Sequence, residues 1–216
     1  MNLELATRLV GTLPESTPTL FNPWADSCAH DSAENSPAAR LERLAAHLAC
    51  EARVILVGEA PGYQGCRYSG IPFTSERLLL EGAIPRIAAL GYRLSTRRLP
   101  FSEPSATIIW KALYRFGIQD HSILWNAIQM HPHRSGAVWT NRTPTDDELA
   151  AGRPALTVLK EVFPAAAFLA VGKKAAGLLK IGGIQAAAEL RHPANGGATE
   201  FARGLERALS STLATR

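Results

Sequence analysis

Cysteine is scarce in this chain: 216 residues hold three, Cys28, Cys50 and Cys66, an odd number with no CxxC pair. Neither a disulfide framework nor a four-cysteine metal site can be assembled from them, so the reduced cytosol is the expected home. Long apolar runs are also lacking. No stretch of about 18 residues could span a bilayer, and the opening MNLELATRLVG carries Glu4 where a basic leader would not. A soluble chain without membrane attachment is expected. No internal repeat is present, and Gly172-Lys173-Lys174 lacks the spacing of a phosphate-binding P-loop. Charge of one sign is not abundant either. The net charge of +4 suits a polyanionic partner without requiring one.

What is present is enough apolar material, 46% of the chain, for one sizeable core. A single domain over 1–216 is expected, with 1–36 as an irregular, proline-broken segment packed on it apart from a short helix at 2–11. Pro37 opens an amphipathic helix through Leu41, Leu44 and Leu48. Val54-Ile55-Leu56-Val57 is a short apolar run that ends in glycine, as a strand buried on both faces does. Further strands are expected at 123–125, 167–171 and 186–190. Helices are expected from Thr74 or Ser75 through Ile87 with a kink at Pro85, over 104–116, over 146–163 behind a Thr145/Glu148 capping box, and over 199–213. Residues 91–103 read as a loop or edge strand. Strand and helix alternate, which predicts an α/β fold: a three-layer α/β/α sandwich around a four-stranded, mostly parallel sheet.

Parallel strands bring their carboxyl ends to one edge, where open α/β sheets place ligands. Gly58-Glu59-Ala60-Pro61-Gly62 follows the first strand, Asn126 ends the second, and His192 follows the fourth. Taken singly, Glu59 reads equally as a helix cap, Asn126 as a turn residue and His192 as a structural histidine. Together they are chemically coherent. A side-chain amide matches the O4 and N3–H edge of a uracil-like base, and Phe73 can stack on its face. Histidine can donate to a carbonyl oxygen that gains charge as a glycosidic bond breaks, and a carboxylate can orient water or stabilise a sugar cation. Gly58, Ala60, Tyr63 and Tyr68 are expected to line the same pocket, with Gln64 beside them. Arg134, Arg142, Lys173, Arg191 and Asn195 are expected to flank it as phosphate contacts.

These segments, with Gly70-Ile71-Pro72-Phe73, Asn141-Arg142-Thr143-Pro144-Thr145, Val171-Gly172-Lys173-Lys174 and His192-Pro193, resemble in order and spacing the uracil-DNA glycosylase superfamily. The resemblance runs from about Val54 to Leu205 and is greatest to its family four. It implies the α/β/α sandwich. It also implies Glu59 in the water-positioning or electrostatic motif, Phe73 stacking on uracil, Asn126 reading its edge, and His192 stabilising the leaving base. The expected activity is flipping of uracil out of DNA and hydrolysis of its N-glycosidic bond, as a monomer acting on DNA that contains uracil or abasic sites.

The sequence departs from the family pattern in several places. Family four holds an iron-sulfur cluster on four cysteines, and two of those positions resemble Met130 and Gly152 here, with Cys28 alone near the amino-terminal pair. No cluster and no other cofactor or metal is therefore expected. Ala60 stands where sister families carry aspartate or asparagine. Ala194-Asn195-Gly196-Gly197 lacks a bulky wedge. The named motifs supply no lysine for the Schiff base of a lyase, Lys111 being expected on a helix face. Three alternatives remain open: action on hypoxanthine or xanthine, a non-catalytic binder of uracil or abasic DNA, and a small-molecule hydrolase on the same sheet.

Overall fold

The structure, a computed structural model, describes residues 1–213. In chain order the elements are α1 (Leu3–Val10), β1 (Leu20–Phe21), α2 (Pro37–His47), β2 (Val54–Gly58), α3 (Cys66–Ser69), α4 (Glu76–Leu80) and α5 (Pro104–Arg115). There follow β3 (Ser122–Asn126), β4 (His131–Pro132), α6 (Asp146–Ala151), α7 (Arg153–Val162), β5 (Ala167–Val171), α8 (Lys173–Ile181), β6 (Ala188–Leu190) and α9 (Ala198–Leu213). The main sheet has the order β3-β2-β5-β6, and all three of its pairings are parallel. The chain leaves β2 toward one neighbour, β3, and later returns to the other, β5. That reversal opens a crevice at the carboxyl end of β2.

Side chains alternate across each strand, so one apolar run feeds two cores. Ile55, Val57, Ile123 and Trp125 pack on one face against α1, α2, α7 and α8 residues such as Leu9, Leu44, Leu159 and Leu179. Val54, Leu56 and Leu124 pack on the other with Trp110, Leu113, Phe201 and Leu205 from α5 and α9. Every residue of β2 and β3 is buried as a result. The three-layer sandwich is the one the sequence pattern implies.

Three elements depart from expectation. The helix expected through Ile87 stops at Leu80, because Gly82 and then Arg86 take left-handed φ values of 65° and 67°, and Pro85 disfavours helical backbone before it. The helix over 146–163 is two helices that meet at Gly152. A Cβ there would lie 1.7 Å from the Ala127 carbonyl oxygen, so this contact seats the joint against the end of β3. The capping box at its start is present, with both Thr145 and Glu148 bonds made. Finally, β1 and β4 form a two-stranded antiparallel ladder, Leu20 opposite Pro132 and Phe21 opposite His131, which ties the amino-terminal segment beside the crevice. Residues 91–103 form no strand. They are pinned instead by the buried Glu76 carboxylate, which accepts from the Arg93 guanidinium, the Leu94 and Phe101 amides and the Ser95 hydroxyl.

Candidate active site

Gly58 and Asn126 are register partners at the ends of β2 and β3. The ladder runs on past the strands, Ala127 N–H donating to the Gly58 carbonyl at 2.7 Å and Ile128 N–H to that of Glu59 at 3.1 Å. Glu59 and Asn126 are thereby held side by side. The Phe73 ring lies across the bare Cα of Gly58. A Cβ on Gly58 would fall 2.2 Å from Phe73 Cζ and 2.7 Å from Asn126 Oδ1. Glycine is required here by close approach rather than by φ.

Phe73 is held in the left-handed region at φ 50°, a conformation that costs a bulky L-residue about 1 to 2 kcal/mol. Its surroundings over-determine it. The Ser69 hydroxyl donates to the Ile71 carbonyl and accepts from the Ile71 amide, while Trp110 Nε1–H donates to the Thr74 hydroxyl, which donates to the Pro72 carbonyl. Backbone strain retained under such clamping is characteristic of ligand sites.

Asn126 is buried, its Nδ2 donating to Gln129 Oε1 at 3.4 Å while its Oδ1 has no partner among the described residues. Across the cleft, His192 Nδ1 accepts the Ala194 amide at 3.2 Å, which puts the proton of the neutral ring on Nε2. Burial, and secondarily Arg191, hold the imidazole below its ordinary pKa against the opposing pull of Glu59. His192 is therefore a neutral donor at pH 7. The Glu59 carboxylate accepts from Lys174 Nζ at 3.1 Å, but both side chains are more than a third exposed, so the pair contributes little stability.

Glu59, Phe73, Asn126, Lys174 and His192 line one cleft of about 1230 Å³ at the carboxyl edge of the sheet, whereas Gly58, expected in its wall, is covered by the Phe73 ring. Ala60, Lys173, Arg191 and Asn195 line it as expected, and Asn195 takes a left-handed φ of 53°. Four further expectations are corrected. Tyr68 is wholly buried, stacked on Phe101 at 5.0 Å with its hydroxyl accepting from Trp139 Nε1–H, so it is a core residue. The Tyr63 ring packs edge-on to the same Phe101, and it is Gln64 that faces the cleft. Arg134 is exposed and lies outside the cleft wall. Arg142 borders the cleft, but its guanidinium is engaged by the Glu148 carboxylate and the Thr19 and His133 carbonyls, a cross-brace rather than a free phosphate contact.

Two residues were missed. Lys174 joins Lys173 on the wall, so the Val171–Lys174 segment does supply pocket lysines, against the expectation that the named motifs offer none for a Schiff base; only the pairing of β5–α8 with the β2 loop reveals Lys174 there. Glu103, from the loop before α5, lines the cleft, and its carboxyl Oε2 is buried without a hydrogen-bond partner. Nothing in its local sequence distinguishes it from a helix cap before Pro104.

The positions that would carry cluster cysteines do not fit thiolate ligands. Met130 is buried with Leu20 and Ile128, a Gly152 side chain would strike the Ala127 carbonyl, and Cys28 Sγ rests 3.9 Å from the Tyr68 hydroxyl. No group of three or more His, Cys, Asp or Glu side chains among the described residues has metal-binding geometry. No helix among them is long and apolar enough to cross a membrane.

A family model described as the uracil DNA glycosylase superfamily matches residues 46–207. No curated protein sequence matches the chain. Among solved structures, wild-type SMUG2 of Pedobacter heparinus is similar in fold, with a TM-score of 0.63 at 15% identity over 98% of this chain and 97% of that one.

Proposed function

The chain belongs to the uracil DNA glycosylase superfamily, and we propose that within it this protein releases uracil from DNA by hydrolysing the N-glycosidic bond, leaving an abasic site. The observation that carries the reading is the slot formed by the bare Gly58 Cα, the Phe73 ring and the Asn126 amide. A planar base extruded from the duplex stacks on Phe73, and the Asn126 amide matches its N3–H and O4. As the C1′–N1 bond breaks, negative charge gathers on the base and positive charge on the sugar. His192 Nε2–H donates to the base O2, and being neutral it stabilises that charge without surrendering a proton beforehand. The Glu59 carboxylate faces the sugar cation and orients water. The water oxygen forms the new bond to C1′, and its proton is released to solvent or to the departing uracil anion.

Lys173 and Arg191 at the cleft mouth suit phosphates on either side of the flipped nucleotide. With Ala60 after Glu59, no second polar group at that turn shares the water-positioning task. The poor fit of Met130 and Gly152 to thiolate ligation supports a reading without an iron-sulfur cluster. Lys174, committed to Glu59, suits a monofunctional hydrolase rather than a lyase. We take the protein to act as a cytosolic monomer.

Single-turnover release from labelled duplexes with U opposite A, U opposite G, T opposite G and hypoxanthine opposite T tests this. Uracil alone is expected to be released, with Asn126→Ala and His192→Ala each about 100-fold to 1000-fold slower. Release of hypoxanthine in preference to uracil would reassign the substrate. Tight, salt-sensitive binding of uracil or abasic DNA without release of any base would make the protein a binder.

A further inference from the structure

The buried Glu76 and the half-buried Glu148 carboxylates are heavily partnered. Glu76 accepts from a guanidinium, two amides and a hydroxyl, and Glu148 accepts from Arg142 and from the Thr145 amide. Glu103 is the exception on the cleft wall. Its carboxyl lies against the bare Cα of Gly65, where a Cβ would stand 1.9 Å from Oε2, so the glycine makes the room it occupies. Oε2 is sealed from solvent without a hydrogen bond. The residue stands at the N-cap of α5, yet its side chain caps nothing. A fold that buried this group for structure alone would have satisfied it.

We propose that Glu103 is a specificity-determining residue of the cleft, whose carboxyl donates from Oε1, the oxygen not sealed against Gly65, to a carbonyl of a flipped lactam base. This inference rests on the glycosylase reading and deepens it. A neutral carboxyl can donate to a carbonyl of uracil or another deaminated base, whereas an ionised carboxylate presents only lone pairs to it. Thr74, whose carbonyl lies beside the same Gly65 position, adjoins Phe73, so the carboxyl stands near the stacking ring. Burial raises the Glu103 pKa to about 7, with no other cause acting on it. The titratable group that faces it is the Cys66 thiol of α3, which burial and Glu103 together push well above its ordinary value, so the thiol stays neutral. No charged side chain of α5 or of the loops before α3 and α5 shifts it.

Uracil release from a U:G duplex, measured under single turnover from about pH 6 to 8.5, tests the assignment. Burial and Arg191 hold His192 below its ordinary pKa, so its neutral form dominates over the upper part of that window, where the Glu103 step is read. The wild-type rate is expected to fall as pH rises through about 7. Glu103→Gln, a permanent donor and acceptor, is expected to stay within about threefold of wild type at the low end and to lose the pH dependence, while Glu103→Ala is about tenfold slower there and flat. Gly65→Ala, whose methyl displaces the carboxyl, should behave like Glu103→Ala, and melting curves confirm that each variant is folded. A Glu103→Ala enzyme with the wild-type rate and pH profile overturns the inference. If wild type releases no base at all, the glycosylase reading fails, and calorimetric binding of free uracil decides the inference separately. Binding lost above pH 7 in wild type but retained in Glu103→Gln upholds it, and equal binding by wild type and Glu103→Ala at both ends of the range overturns it.

Discussion

Replacing Gly58 by alanine adds one methyl group where the Phe73 and Asn126 side chains already meet. The new carbon would lie 2.2 Å and 2.7 Å from two Phe73 ring atoms and 2.7 Å from Asn126 Oδ1. Non-bonded carbons settle at about 3.5 to 4.0 Å, so the ring must retreat by about 1.5 Å. It has little freedom to do so, since Thr74 is bonded to Trp110 and Ser69 grips Ile71. Overpacking of this kind costs about 1 to 3 kcal/mol of folding stability. The functional cost is larger. Base stacking on an aromatic ring contributes about 1 to 3 kcal/mol, and a well-aligned amide contact with a base edge about the same. Losing half of each gives about a 30-fold slower single-turnover release, and losing most of both about 1000-fold, at about 1.4 kcal/mol per tenfold. Urea denaturation read beside uracil release separates the two costs. A folded Gly58→Ala protein that releases uracil within about threefold of wild type would refute the slot as the base-binding surface.

Gly152→Ala is expected to destabilise by about 3 kcal/mol or more, because the atom its Cβ meets at 1.7 Å is a backbone carbonyl and cannot swing aside; an unchanged urea midpoint would contradict the packing described for the α6–α7 joint. Acid should weaken the fold through His47, whose Nε2 accepts the Leu124 amide at 2.9 Å and whose pKa burial and Arg86 lower to about 3. A depressed histidine contributes stability above its unfolded value, near 6.5, and that stability drains away as pH falls toward 3, by up to about 1.4 kcal/mol per pH unit. His47→Gln, which keeps an acceptor, should show a shallower decline of unfolding free energy between about pH 6.5 and 4, and an identical decline in both proteins would refute the assignment. Breaking the Arg142 brace with Arg142→Ala should lower stability by about 1 to 3 kcal/mol while leaving the salt dependence of DNA binding unchanged, whereas Lys173→Ala should reduce that salt slope by about one phosphate contact.

Much of the site was legible because its parts sit at strand ends. A strand of a parallel sheet buried on both faces is written as a short apolar run, and the residue that follows it must stand at the ligand-binding edge. Glu59, Asn126 and His192 were found in that way. Tyr63 and Tyr68 were misassigned because an aromatic residue in a pocket loop and one turned into the core have the same local sequence. Here α3 rotates Tyr68 onto Phe101, a residue more than thirty positions away. Arg142 reads as a phosphate contact from its place in the basic cluster after the second strand, but in the fold its guanidinium is taken up by Glu148, the carboxylate that also closes the capping box.

The sequence by itself determined the layer order of the sandwich, the strands and the edge on which chemistry collects, because periodicity and glycine or proline punctuation act over a few residues. Only the tertiary structure decided which side chains touch. Strand register sets Asn126 beside Gly58, the loop after α3 lays Phe73 across it, the β5–α8 turn brings Lys174 to Glu59, and the bare Gly65 makes room for the unpartnered Glu103 Oε2. Each of these depends on the relative placement of segments far apart in the chain, and distance across a fold is not written in any local pattern.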